Sequence, residues 1–126
     1  MFPGQGTQKA GMGKDFYENS QTAAGIFDSA SKLLDIDMKA LCFEKNDLLD
    51  QTEYTQAALV TTCLAITAVL KEKGLKPDVT AGLSLGEYCA VAVSKGMSTD
   101  DAVRAVRQRG ILMQTAVPGG IQGLKN

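Results

Sequence analysis

The 126-residue chain contains no histidine. Histidine is the side chain that titrates near neutral pH and the commonest general base, so a reaction needing such a base must take it from elsewhere. Tryptophan is also absent, and only three prolines interrupt the chain. The three cysteines, Cys42, Cys63 and Cys89, are odd in number and far apart, with no C-x-x-C spacing. With no histidine to join them they make no zinc-ligand pattern, and no metal is expected. Two lie in apolar helical stretches and read as small buried thiols in a reducing cytosol. Charge excess is lacking too. Thirteen basic residues against fourteen acidic ones leave a net charge of −1, which builds none of the basic field that nucleic-acid binding needs. No apolar run reads as long enough to span a bilayer. The first residues, MFPGQGTQK, have neither the basic start nor the apolar segment of a signal peptide. The expectation is a cytoplasmic domain with no nucleic-acid or membrane partner.

What is present is ordinary in amount: 44% apolar and 21% charged residues, as in soluble globular proteins. FPGQGTQKAGMGK reads as a loop at the end of a very short strand, Met1–Phe2. TAAGIFDSASKLL places Ile26, Phe27, Ala30, Leu33 and Leu34 on one helical face. DMKALCF and NDLLD read as short helical turns. TEYTQAALVTTCLAITAVLKEKG is the clearest helix, with a stripe of Leu59, Cys63, Ile66 and Leu70 and enough apolar residues elsewhere to be buried on most sides. Gly74 stops it. KPDVTAGLS gives a loop and a short strand, and LGEYCAVAVSKG a helix of small residues ending at Gly96. STDDAVRAVRQRGILMQTAVPGG opens with a Ser or Thr cap and two aspartates, as helix starts prefer. Its stripe is Val103, Val106, Gly110, Met113 and Val117, and Pro118 ends it. Strands alternating with helices imply a layered α/β fold. Two short strands are a thin sheet for this much helix, so the chain reads as part of a larger domain.

Gly82-Leu83-Ser84-Leu85-Gly86 matches G-x-S-x-G, the nucleophile elbow. A strand that turns sharply into a helix strains the serine backbone and leaves no room for a Cβ at the flanking positions. It presents the hydroxyl at a helix N-terminus, where free N–H groups can stabilise an oxyanion. The plainer reading is tight strand-to-helix packing by two glycines. The apolar strand before the motif and the small-residue helix after it favour the elbow. The Gly-rich FPGQGTQ loop would lie at the C-terminal edge of the sheet, where ligand crevices form, and the Gln5 N–H could supply a second oxyanion donor. By itself that loop reads as a flexible turn.

Taken together, FPGQGTQ, TQAAL, GLSLGEY and RQRGILMQTAVP resemble, in wording, order and spacing, the malonyl-CoA:acyl carrier protein transacylases, from Phe2 to about Gly120. The acyltransferase domains of polyketide and fatty-acid synthases share the first and third motifs. The resemblance implies a large α/β-hydrolase-like subdomain with a parallel sheet, incomplete over residues 1–126. It places the lead into a ferredoxin-like small subdomain at about 118–126, with that subdomain itself missing. It implies that Ser84 takes malonyl from coenzyme A as an ester and passes it to the phosphopantetheine thiol of acyl carrier protein, in the cytoplasm. Coenzyme A thioester is then a substrate and no cofactor is needed. The oxyanion donors would be the backbone N–H groups of Gln5 and Leu85. Arg109 would grip the malonyl carboxylate, a task suited to a planar, permanently charged fork. Arg104 and Arg107 read as surface arginines. Met113 and Gln56 match positions near the family's pocket, with plain core packing as the competing reading.

Two departures stand out. The family usually has histidine before the serine, where this chain has Leu83. The family's base is a downstream histidine, and none exists here, so these 126 residues alone are expected to be inactive. The alternatives are a serine esterase or thioesterase, a polyketide-type acyltransferase, and a degenerate member that only binds carrier protein.

Overall fold

The computed structural model describes residues 1–116. Its axis is the helix Thr52–Glu72, formed by a run free of glycine and proline. It closes where Gly74 turns at φ +90° and Leu75 donates to the Leu70 carbonyl at 3.0 Å. In chain order the helices are α1 (Lys14–Asn19), α2 (Gln21–Leu34), α3 (Met38–Phe43), α4 (Thr52–Glu72), α5 (Gly86–Val93) and α6 (Thr99–Ala116). Caps explain three of the starts. Ser20 accepts from the Ala23 N–H at 3.2 Å, Asp37 from Ala40 at 3.1 Å and Ser98 from Asp101 at 3.1 Å. Each satisfies an N–H that a helix start leaves without a partner.

Helices α2, α5 and α6 pack around α4. Phe27, Met38, Val60, Leu85, Val103 and Val106 fill the centre with almost no exposed surface. On α2 the expected face is present, with Phe27 and Ala30 buried and Ile26, Leu33 and Leu34 packed partly against the core. A cluster of Tyr17, Phe27 and Phe43, with ring centroids 5.1–5.9 Å apart, joins α1, α2 and α3.

Several expectations are corrected. The stripe chosen on α4 is not its core face: Leu59 is buried, Cys63 and Ile66 are half-buried and Leu70 is exposed. Cys63, Ile66 and Leu70 instead line an open apolar hollow of about 490 Å³ with Met1, Leu75 and Val79. Ala58, Thr61, Thr62, Ala65 and Val69 are among the residues turned inward. The reading that no run is long enough to cross a bilayer also fails for α4, which is long enough at 21 residues and apolar enough at mean hydropathy 1.3. Its burial, 61% of that stretch, accounts for the composition by core packing. NDLLD is not helical. The Asn46 side chain donates to the Ala40, Leu41 and Glu44 carbonyls and accepts from the Leu48 and Leu49 N–H groups, which holds a turn instead. Helix α5 ends at Val93, short of Gly96, and Lys95 takes the left-handed turn at φ 69°.

Among the described residues the two expected strands reduce to one parallel bridge, Phe2 with Gly82. Phe2 donates to the Ala81 carbonyl at 2.8 Å, and Leu83 donates to that of Phe2 at 3.0 Å. Val117, Pro118 and the expected lead at 118–126 lie outside the described residues.

Candidate active site

The bridge delivers the chain into the turn at Ser84. Ser84 sits at φ +52°, a left-handed conformation that costs a non-glycine residue free energy and that clusters at functional sites. The flanking glycines are required by space. A Cβ on Gly82 would stand 2.0 Å from the Gly86 carbonyl carbon, and one on Gly86 would stand 2.4 Å from the Phe2 oxygen. The turn is therefore closed against both the helix that follows it and the bridge partner. Ser84 is exposed and Leu85 behind it is buried, so the core clamps the turn while the hydroxyl faces out.

Helix α6 brings Arg109 to this hydroxyl. Its Nη2 donates to Ser84 Oγ at 3.0 Å and its Nη1 to Gln56 Oε1 at 2.7 Å. Gln56 is fully buried on α4, and its Nε2 lies 3.1 Å from Met113 Sδ. The guanidinium also lies over the Tyr88 ring, 5.8 Å from its centroid, at the outer range of a cation–π contact. Ser84, Arg109, Gln56 and Met113 thus form one connected group. Among the described residues no carboxylate pairs with Arg109; the one ion pair is Arg104 with Asp101 at 3.4 Å, on the surface. Arg104 is exposed as expected. Arg107 is not: it is half-buried, donates to the Glu53 carbonyl and lies 4.8 Å from the Tyr54 ring centroid. Its task is to fasten α6 to the start of α4.

The loop Gly4–Gln8 runs beside the elbow. A Cβ on Gly4 would meet the Leu83 oxygen at 2.8 Å. The Gln5 side chain reaches Thr52, donating to Oγ1 at 2.9 Å, and Gln8 Nε2 donates to Asp50 at 2.9 Å. Neither Gln5 nor Leu85 donates its backbone N–H to another group among the described residues, so both remain available.

The thiols stand apart from this group. Burial pushes Cys42 up to about 12, with a hydrogen bond from Thr62 working the other way. Contact with the Cys63 thiol, then burial, raises Cys89, while that same contact lowers Cys63. The raised, buried Cys42 and Cys89 make poor nucleophiles, and Cys63 lines the apolar hollow rather than the group around Ser84, whose hydroxyl is exposed. The apolar hollow contains none of Ser84, Arg109 and Gln56 in its lining. Sequence reasoning passed over Thr52 and Tyr88. Tyr88 belongs to the GEY motif, which could have drawn notice to it, whereas Thr52 stands before the TQAAL motif and carries no such signal.

The family model described as acyl transferase domain matches residues 1–126. The malonyl CoA-acyl carrier protein transacylase of Bacillus subtilis is 46% identical over 121 residues, covering 95% of this chain and 38% of that protein. The crystal structure of malonyl CoA-acyl carrier protein transacylase from Clostridium perfringens superposes with a TM-score of 0.88 at 44% identity, covering 92% of this chain and 37% of that one. A malonyl-transacylase in complex with its type II polyketide-synthase acyl-carrier protein superposes at 0.87 with 40% identity, covering 93% of this chain and 38% of that one. The chain therefore spans less than two-fifths of the length of these relatives.

Proposed function

This chain belongs to the acyl transferase domain family, and from that premise we propose that it carries the nucleophile half of a malonyl-CoA:acyl carrier protein transacylase. Ser84 Oγ attacks the thioester carbonyl of malonyl-CoA. A base takes the hydroxyl proton, the coenzyme A thiol departs, and a malonyl-serine ester remains. The carrier-protein thiol then attacks that ester and restores the hydroxyl. The N–H groups of Gln5 and Leu85 stabilise the oxyanion in both steps. The base comes from outside these 126 residues, which contain no histidine, and coenzyme A enters as substrate rather than cofactor.

The observation that carries this reading is Arg109, a cation 3.0 Å from the Ser84 hydroxyl with no carboxylate partner among the described residues. A malonyl group bound at Ser84 ends in a free carboxylate, close enough to fold back onto the guanidinium. Gln56 orients the fork, and Met113 backs Gln56. A simple esterase has no use for such a cation. The parallel Phe2–Gly82 bridge supports a reading of these residues as part of a large α/β-hydrolase-like subdomain. The working site of such an enzyme is the cytoplasm. Leu83 does without the hydrogen-bonding role of the family's usual histidine.

The test is covalent labelling. The full-length protein incubated with radiolabelled malonyl-CoA should carry label on the peptide containing Ser84, and Ser84→Ala should carry none while its melting curve stays near wild type. Label retained by the variant assigns the nucleophile to another residue.

A further inference from the structure

Thr52 is 1% exposed and opens α4. Its hydroxyl does something its neighbours do not. Thr55, Thr62 and Thr67 turn theirs back to carbonyls one helical turn behind, whereas Thr52 Oγ1 accepts from Gln5 Nε2 at 2.9 Å, forty-seven residues away in sequence. The other end of that amide, Gln5 Oε1, is buried with no partner. The bond to Thr52 is therefore the tether of the Gln5 side chain among the described residues. The rest of the loop is held by other bonds, Thr7 Oγ1 to the Gly4 carbonyl, the Gly6 N–H to Gln8 Oε1 and Gln8 Nε2 to Asp50, but none of them reaches Gln5, which is flanked by Gly4 and by Gly6 at φ +110°. Thr52 also stands four residues before Gln56, on the same face of α4. Its carbonyl meets α6 at Gly110, next to Arg109.

We propose that Thr52 is a positioning residue for the reaction at Ser84: its hydroxyl sets the Gln5 loop, and with it the Gln5 N–H, against the turn of α4 that anchors Arg109. An oxyanion donor works only within about 2.7–3.1 Å of the developing charge, so a loop free to drift loses that stabilisation while substrate capture by Arg109 persists. The inference rests on the transacylase reading for its natural substrate, and on the elbow alone for its chemistry.

The experiment is steady-state malonyl transfer by the full-length protein with Thr52→Val, Thr52→Ser and Gln5→Met, the last of which keeps its backbone N–H. Thr52→Val should lower kcat by at least about 10-fold, toward the ~100-fold that a misplacement of about 1 Å costs, with KM for malonyl-CoA nearly unchanged. Thr52→Ser should restore kcat. Gln5→Met should match Thr52→Val, and the double variant should be no worse than either. The p-nitrophenol burst with p-nitrophenyl acetate should follow the same order. Wild-type kcat in Thr52→Val, a raised KM at constant kcat, or a Thr52→Ser as impaired as Thr52→Val overturns the proposal. If Thr52→Val fails to fold, Gln5→Met decides, and wild-type kcat there overturns it. If the wild type transfers no malonyl, the transacylase reading fails, and the ester burst still decides the role of Thr52.

Discussion

Arg109 divides its fork between two neutral oxygens, Gln56 Oε1 and Ser84 Oγ. A carboxylate is a stronger acceptor than either, so the arrangement favours an acyl group that carries its own charge. Arg109→Ala is expected to cost about 3–5 kcal/mol in malonyl transfer, the range for stranding one partner of a buried ion pair. Acetyl transfer, which has no carboxylate to strand, should change far less. The check is kcat/KM for both acyl donors; equal losses make Arg109 a structural residue. Ser84, Arg109, Gln56 and Met113 were legible in sequence because each sits in a motif of residues close in the chain. Thr52 was not, since the partner that gives its hydroxyl a purpose lies forty-seven residues away. The role of Arg107 was misread for the same reason: the Glu53 carbonyl and the Tyr54 ring that receive it belong to another helix.

Between elements, the closest approach that matters to the site is α6 on the first turn of α4. A Cβ on Gly110 would stand 2.7 Å from the Thr52 oxygen and 3.1 Å from Glu53 Cα, backbone atoms that cannot rotate aside. Alanine ordinarily improves a helix interior over glycine by about 1 kcal/mol. Overpacking costs about 1–3 kcal/mol, and with backbone as the obstacle the steric cost should win. Gly110→Ala in the full-length protein should therefore lower the melting temperature and weaken malonyl transfer by shifting Arg109. A raised melting temperature with full activity means the contact has slack. Helices α2 to α6 were legible from their apolar patterns, and the start of α6 from its cap, whereas α1, six residues long with none buried, offered no stripe to read. The facing of α4 was not, because a helix apolar nearly all round has no single stripe for periodicity to select. NDLLD was misassigned because short apolar stretches look helical, and nothing local announces that Asn46 will bind five backbone groups.

For the molecule as a whole, the uncovered side of α4 sets its behaviour. Met1, Leu75 and Val79 stand 91%, 63% and 86% exposed around the hollow, an apolar surface of the kind that drives association. The 126-residue chain expressed alone is expected to self-associate or unfold in part, and to give no catalytic malonyl transfer for want of a base. Size-exclusion chromatography and a transfer assay test both. A soluble, active monomer contradicts the reading of the hollow and the assignment of the base to other residues. The layered α/β class was legible only as far as its helices and its parallel pairing. The expected sheet is not formed among the described residues, because the two stubs of strand meet at a single bridge.

The Phe2–Gly82 bridge also dates the assembly of the site. Its partners are eighty residues apart, and a ribosome adds roughly 5–20 residues per second, so Phe2 waits roughly 4–16 seconds for its mate to be made. During that wait the anchors Asp50 and Thr52 are synthesised well before the elbow. The residues that fasten the Gln5 loop to α4 thus precede Ser84 in synthesis, and Arg109 arrives last. A chain interrupted before residue 82 would hold the Gln5 loop without Ser84, and one interrupted before residue 109 would hold Ser84 without the guanidinium that meets it.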